Sequence, residues 1–369
     1  MILASNAVIL AWIALGLAAL PLGLCLFNLP LYRTPAPARG RPAVSVLIPA
    51  RNEEANIAAA VGCVLASTGV ELELVVLDDH STDSTASILA SIVDPRLRVA
   101  LAPPLPPGFV GKQHACASLA SLARHDIMVF VDADVRLAPD AVSRMAGFMQ
   151  DNPVGLASGV PLQETRSWAE ALLIPLIHLV LLGYLPMAAM RLSGLPALGA
   201  GCGQIMVARR DDYLRAGGHA AIRGSMHDGV TLPRAFRHAG IMTGLFDPTS
   251  FASCRMYASA REVWHGLGKN ATEGMATPVA LPVWTVLLGG GHVLPAVLMA
   301  VAPSTLAAAA LACSIGLRLL LAWRFRQPVL SAVLNPVGVA AFLVIQWAAL
   351  IRARRGRPSV WRGRAYPAQ

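Results

Sequence analysis

Three acidic signatures in this chain have residue types and spacings that chemistry could use: Asp78-Asp79, Asp132-Ala133-Asp134 and His227-Asp228. Carboxylate oxygens are hard ligands suited to Mg²⁺ or Mn²⁺, cations that also take phosphate oxygens and water. Acids in this order suit a sugar nucleotide held through a divalent metal that acts as a Lewis acid on the departing diphosphate. One acid, Asp228, is then left over as a base. The most telling signature is Asp132 with Asp134, because Val129-Phe130-Val131 just before it reads as a buried strand whose exit sets two acids at a sheet edge.

The elements needed to position these acids are legible around them. Val44–Ile48, Leu72–Leu77, Leu97–Leu101 and Ile127–Val131 read as strands. They alternate with helical stretches over Asn52–Ala66, Ser81–Ile92 and Gly111–Ala123. Such alternation predicts an α/β fold with a doubly wound, mostly parallel sheet, in which ligands bind beyond the carboxyl ends of the strands. Pro49 to Glu54, Asp78-Asp79 and Asp132 to Asp134 all fall there.

Each signature also has a plainer reading. Asn52 followed by acids is good helix-capping chemistry, and Asp78-Asp79 or Asp228 could cap the helices that follow them. Lys112, after the Pro-rich loop from Pro103 to Gly108, could be a solvated lysine. Gly217-Gly218 reads as a turn after a helix from Asp211.

Composition sets the surroundings. Of 369 residues, 55% are hydrophobic and 14% charged, against about 25% charged in ordinary soluble domains. Long apolar runs lie at the N-terminus, over roughly 7–29, and between Val279 and Ile351, each long enough to span a bilayer. The tail divides into about 279–302, 303–321 and 329–351, with Gly289-Gly-Gly291 and Asn335-Pro336 as breaks. The expected organisation is an anchor at 1–30, a Pro/Arg-rich linker at 31–43 and a catalytic domain at 44–275. Transmembrane helices at 279–351 and a basic tail at 352–369 follow. Trp168 to Met190, interrupted by Pro175 and Pro186, reads as a helical segment lying in the membrane interface, since a crossing there would put Asp134 and Asp228 on opposite sides.

The net charge of +9 sits beside the apolar segments, in Arg33, Arg39, Arg41, Arg324, Arg326, Arg352, Arg354, Arg355 and Arg357. This pattern reads as cytoplasmic flanks facing anionic lipid and not as a nucleic-acid surface. Four full crossings would leave the Arg-rich C-terminus opposite the catalytic domain, so one tail segment is expected to be re-entrant. Six single cysteines without metal spacing read as reduced packing residues, with Cys202 in Gly199-Ala-Gly-Cys-Gly203 the one to watch.

An ordered set of motifs over 44 to about 275 resembles the membrane-anchored family 2 glycosyltransferases. These are Pro49-Ala-Arg-Asn-Glu-Glu54, Asp78-Asp-His-Ser-Thr-Asp83, Gly111-Lys112, Asp132-Ala-Asp-Val135, Gly203-Gln204, Gly217-Gly-His219, His227-Asp228 and Cys254-Arg-Met-Tyr257. The resemblance is to members acting on polyisoprenoid lipids such as carotenoid acids or associated with hopanoids. It implies a GT-A nucleotide-diphospho-sugar transferase domain with transmembrane helices at both ends. It further implies inverting transfer to a membrane lipid, Mg²⁺ or Mn²⁺ as cofactor, a UDP-sugar as the first choice of donor, and a bacterial-type inner membrane with the catalytic domain cytoplasmic.

On that resemblance Asp228 is the catalytic base, Asp134 the metal ligand, and Pro49, Arg51, Glu53, Asp79, Lys112 and Asp132 bind the nucleotide sugar. Gln204, His219, His227, Arg255, Tyr257 and Trp264 border the acceptor. Family members commonly carry Glu-Asp where this chain has His227-Asp228. The absence of a Gln-x-x-Arg-Trp signature argues against a polymer-making synthase. A polyprenyl-phosphate or polysaccharide glycosyltransferase is the rival enzyme, and a catalytically silent nucleotide-binding membrane scaffold is the rival of another class.

Overall fold

The computed structural model describes residues 2–356, 359–361 and 364–366, so Arg357 of the expected basic tail lies outside the described residues. Ten strands build the globular part. They are β1 (Ala43–Ala50), β2 (Glu71–Asp78), β3 (Leu97–Leu101), β4 (Ile127–Val131), β5 (Val135–Leu137), β6 (Leu156–Ser158), β7 (Leu162–Gln163), β8 (Ile205–Arg209), β9 (Thr243–Leu245) and β10 (Ala252–Cys254). A seven-stranded sheet runs β3-β2-β1-β4-β8-β6-β9, and a small sheet runs β5-β10-β7. β3, β2, β1 and β4 are parallel, while β8 enters antiparallel to both β4 and β6.

The parallel half follows from sequence. Val44, Val46, Leu47 and Ile48 are fully buried, and the β-branched run packs on both faces of a sheet covered by helices. One core lies under the Ile57–Leu65 and Ala141–Asp151 helices and the other under Gly111–Leu122 and Asp228–His238. The expected helix from Asn52 begins only at Ile57. Asn52 takes a φ of 53°, outside the helical region, which leaves Glu53 and Glu54 in a turn. The helix expected from Ser81 likewise starts at Thr85, after His80 at φ 53°.

Among the described residues, four helices are long and apolar enough to cross a membrane: Asn6–Asn28, Ala280–Val301, Thr305–Arg324 and Asn335–Arg354. The triple glycine expected to break the second of these does not. The helix passes through it as a π-helical stretch, Thr285–Val293, with the first helix lying against it. A Cβ on Gly291 would sit 2.5 Å from the Leu17 carbonyl oxygen, so glycine here permits close backbone contact between helices. Asn335-Pro336 does start a new helix, with Pro336 in its first turn.

The Asn335–Arg354 helix meets other segments of the chain near both of its ends. Gly338, near its start, lies against Leu172, while Ala349 and Leu350, near its end, pack with Ala271, Ala276 and Leu281. Both of its ends therefore lie beside segments of the globular side.

The 168–190 segment is three short helices, Trp168–Leu173, Leu176–Tyr184 and Met187–Leu192. Their breaks fall at Pro175 and Pro186, as ring sterics require. The backbone freed at the second break is satisfied by Asn28. Its amide donates to the Leu182 and Leu185 carbonyls at 2.8 and 2.7 Å and accepts from the Met187 N–H at 3.1 Å. Arg324, in the last turn of its helix, pairs at 2.6 Å with the buried Asp247 of the globular domain. These contacts fix the membrane helices to the domain and so shape the site between them.

Candidate active site

β1, β2 and β4 end side by side, which brings their loops to one mouth. The first two loops are laced together. Asn52 N–H donates to Ser81 Oγ at 2.9 Å, Asn52 Oδ1 accepts from Thr82 N–H at 2.8 Å, and Glu53 N–H donates to Thr85 Oγ1 at 2.8 Å. Asp78 caps the turn, accepting from Ser81 N–H and Oγ at 3.0 and 2.5 Å. Asp79, its neighbour, instead faces a cavity and lies 3.7 Å from the Arg51 guanidinium. Of this doublet Asp78 thus caps the turn, and Asp79 lines the cavity.

The cavity has a volume of about 650 Å³. Pro49, Arg51, Glu53, Asp79, Lys112, Asp132, Asp134 and Asp228 line one end of it. At its centre Lys112, in the first turn of its helix, holds two acids from different loops. Its ammonium donates to Asp132 at 2.7 and 2.8 Å, to Asp228 Oδ2 at 3.0 Å and to the Gly203 carbonyl at 3.1 Å. Asp228 Oδ1 accepts from the Gly229 N–H at 2.8 Å, so this acid, the first residue of its helix, is steadied by its own backbone and faces the site at once. Gly203 is required beside it, because a Cβ there would fall 2.1 Å from Asp228 Oδ1.

The electrostatics separate these acids. Burial alone would raise Asp228, yet the charge and hydrogen bond of Lys112 hold it below the usual carboxylate range. Lys112 is itself raised well above its ordinary value, since the two carboxylates outweigh its desolvation. Burial pushes Asp132 up to about 6, against the pull of Lys112. Asp134 is raised by burial and then by the negative charge of Glu53. Burial lowers the His227 imidazole despite Asp228 beside it, which makes it a neutral ring near pH 7.

Asp134 Oδ1 is buried without a hydrogen-bond partner, and the carboxylate meets the Cys254 thiol and its own backbone N–H. Among the described residues no three His, Cys, Asp or Glu side chains form a metal cage. A hard cation bound through one or two carboxylates plus substrate phosphates needs no such cage, so the residues fit Mg²⁺ or Mn²⁺ of that kind.

The expected acceptor residues divide. Gln204, His227 and Tyr257 line the cavity. The amide of Gln204 is already engaged, accepting from Gln163 at 2.9 Å and donating to Cys254 Sγ at 2.9 Å, so it steadies the thiol that meets Asp134. His219, Arg255 and Trp264 are not in the lining. His219 is 1% exposed in the core, 2.8 Å from the Tyr213 hydroxyl and packed on Phe130, and burial takes it down to about 4. Arg255 pairs at 3.2 Å with Glu170, which closes the capping box that starts the Trp168–Leu173 helix. Trp264 is 41% exposed on the outer face of its helix.

Three residues missed by the sequence reading matter here. Glu273 accepts from the Met226 N–H at 2.7 Å, the His227 N–H at 3.3 Å and the Ser225 hydroxyl, and so pins the turn before Asp228. Cys254 reads as a packing residue in sequence, although its place in the Cys254-Arg-Met-Tyr257 motif is a signal. Arg234 lines the cavity two turns past His227. Leu176, Val180, Leu181, Tyr184, Trp284 and Phe342 give the cavity an apolar wall as well.

Comparison with known proteins fits this geometry. The family model described as glycosyl transferase family 2 matches residues 45–213. The 4,4'-diaponeurosporenoate glycosyltransferase of Staphylococcus haemolyticus (strain JCSC1435) is 27% identical over 239 residues, 63% of this chain and 62% of that protein. Its counterpart in Staphylococcus aureus (strain USA300) is 26% identical over 241 residues, covering 64% and 61%. The matched stretch thus spans about three fifths of the length of these relatives. A mannosyltransferase from Pyrobaculum calidifontis, solved with GDP-Man and Mn²⁺, superposes with a TM-score of 0.53 at 20% identity, covering 93% of this chain and 98% of that one. That likeness is one of fold.

Proposed function

We propose that this protein is an inverting glycosyltransferase, a reading supported by the match of residues 45–213 to the glycosyl transferase family 2 model. It moves one sugar from a nucleoside-diphosphate donor to an oxygen of a lipid-like acceptor. The observation that carries the reading is the single cavity with carboxylates and Lys112 at one end and helices of the membrane-spanning kind at the other. The relatives named for a carotenoid acid support an acceptor of that chemistry.

In this reading Glu53, Asp79 and Arg51 orient the nucleoside at the loops after β1 and β2, with Pro49 shaping the mouth. Asp134, with Asp132 beside it, would hold Mg²⁺ or Mn²⁺, which when bound neutralises charge on the departing diphosphate. Lys112 adds a second positive charge there. Asp228 stays ionised at working pH and, where the acceptor group is a hydroxyl, takes its proton as the oxygen attacks the anomeric carbon. The acceptor slides in from the apolar end, past Tyr184 and Tyr257. The catalytic domain faces the cytoplasm, where sugar nucleotides are made, and a UDP-sugar is the first donor to try.

Membranes containing the protein, incubated with a panel of radiolabelled sugar nucleotides and Mn²⁺, are expected to place label in the organic extract from one donor. Asp134→Asn should lower that transfer at least about 100-fold. Label that ends in a soluble polymer, or an unaffected Asp134→Asn, would overturn the proposal.

A further inference from the structure

Arg234 is a charged wall group that the chemistry above leaves unused. It lines the cavity with His227 and Val230, spaced i, i+3 and i+7 on one face of the Asp228–His238 helix. Its Nε is buried without a hydrogen-bond partner, and among the described residues no carboxylate pairs with its guanidinium. The other cations of the cavity differ. Lys112 faces Asp132 and Asp228, Arg51 faces Asp79, and Lys269 has a partner of its own. Burial holds the Arg234 guanidinium below its ordinary value, and its charge lowers the His227 imidazole beside the reacting acids. Gly199 holds the 197–201 loop against this turn, where a Cβ would sit 2.9 Å from the Arg234 backbone nitrogen. A partly buried cation without a counter-charge is costly unless the ligand brings one.

We propose that Arg234 receives an ionised acid, carboxylate or phosphate, at the head of the lipid acceptor, and thereby selects acids over alcohols of the same tail. This rests on the lipid-acceptor reading above. It changes the chemistry assigned to the site. An ionised acid attacks the anomeric carbon with an electron pair of its own oxygen, and the bond to the diphosphate breaks with its pair leaving on the nucleoside diphosphate. No proton need be removed, so for such an acceptor Asp228 acts through Lys112 and not as a base.

The test uses the full-length protein in detergent, with Trp fluorescence titrated by farnesoic acid, farnesyl phosphate and farnesol; Trp284 in the cavity wall is the reporter. The wild type is expected to bind the acid or the phosphate about 30-fold or more tighter than the alcohol. Whichever of the two binds tighter identifies the kind of acid. Arg234→Gln should abolish the preference while leaving the affinity for farnesol and UDP intact, and Arg234→Lys should keep part of it. Unfolding midpoints and UDP binding report that the variants are folded. Equal binding of all three probes by the wild type, or a preference retained in Arg234→Gln, overturns the assignment of Arg234 and leaves the lipid reading standing. Failure of all three to bind while UDP still binds overturns the lipid reading and the assignment with it.

Discussion

The two ends of the cavity are built in different ways. At the polar end, strand termini and the loops leaving them set the side chains, and hydrogen bonds such as Asn52 with Ser81 and Thr82 lock those loops to one another. At the apolar end the walls come from segments far apart in sequence, Leu176–Tyr184, Thr285–Val293 and Asn335–Arg354, held by contacts such as Glu170 with Arg255 and Asn28 with Leu185. An end fixed by local backbone geometry depends on a few polar groups and fails sharply when one is removed. An end fixed by distributed packing tolerates single changes.

Lys112→Met should break the polar end most severely. The substitution keeps the volume but leaves Asp132 and Asp228 buried without their cation, a change that costs about 3–5 kcal/mol. Transfer should fall below detection. The sign with pH follows from linkage. Without Lys112 the folded-state pKa of both acids lies above the unfolded value, so the folded state binds protons more tightly than the unfolded chain. The variant's extra instability should then be smallest at low pH and grow as pH rises through the raised pKa. Thermal unfolding of both proteins between pH 5 and 8 checks this; a constant difference would mean that Lys112 is not the counter-charge of these acids.

The same contrast explains what could be read from the sequence. β3 and β4 fall where the apolar runs put them, and the acids at the strand ends reach one cavity because a parallel sheet delivers its carboxyl ends to one side. Helix starts were less legible, since the positive φ of Asn52 and His80 is a property of the laced loops and not of their composition. At the acceptor end, Arg255 and His219 look available in sequence, yet their partners Glu170 and Tyr213 are chosen by tertiary packing. The antiparallel β8 and the close approach of Gly291 to Leu17 are long-range events of the same kind. Arg234 went unnoticed because its meaning lies in having no partner, which only the folded chain reveals.

Gly203→Ala sharpens the comparison within the polar end. An added methyl carbon would fall 2.1 Å from Asp228 Oδ1 and 2.7 Å from its Cγ, so the carboxylate must move and loosen its grip on Lys112. A displacement of about 1 Å at a reacting group can cost on the order of 100-fold in rate. Transfer should fall by roughly that factor, with UDP affinity changed much less. Gly62→Ala, on the Ile57–Leu65 helix where a Cβ meets open space, should leave transfer unchanged and raise stability by about 0.5–1 kcal/mol. Equal effects of the two alanines would show that the glycine-rich loop does not position Asp228.

The smallest effect concerns His219, which decides whether this residue belongs to the core or to the acceptor end. Burial holds its imidazole at about 4, so the folded state resists a proton that the unfolded chain takes near the ordinary value of 6.5. With the folded pKa depressed, the unfolded state binds more protons between those values, and stability must fall as pH drops through that window. His219 should therefore cost the wild type about 1 kcal/mol between pH 7 and pH 5.5, a loss absent from His219→Gln. The glutamine keeps a polar atom for the Tyr213 hydroxyl, and KM for the lipid acceptor should stay within about 3-fold, well inside the tenfold change that 1.4 kcal/mol of lost binding would bring. A KM raised by tenfold or more, with pH-dependent unfolding the same in both proteins, would return His219 to the acceptor end, where the sequence alone had placed it.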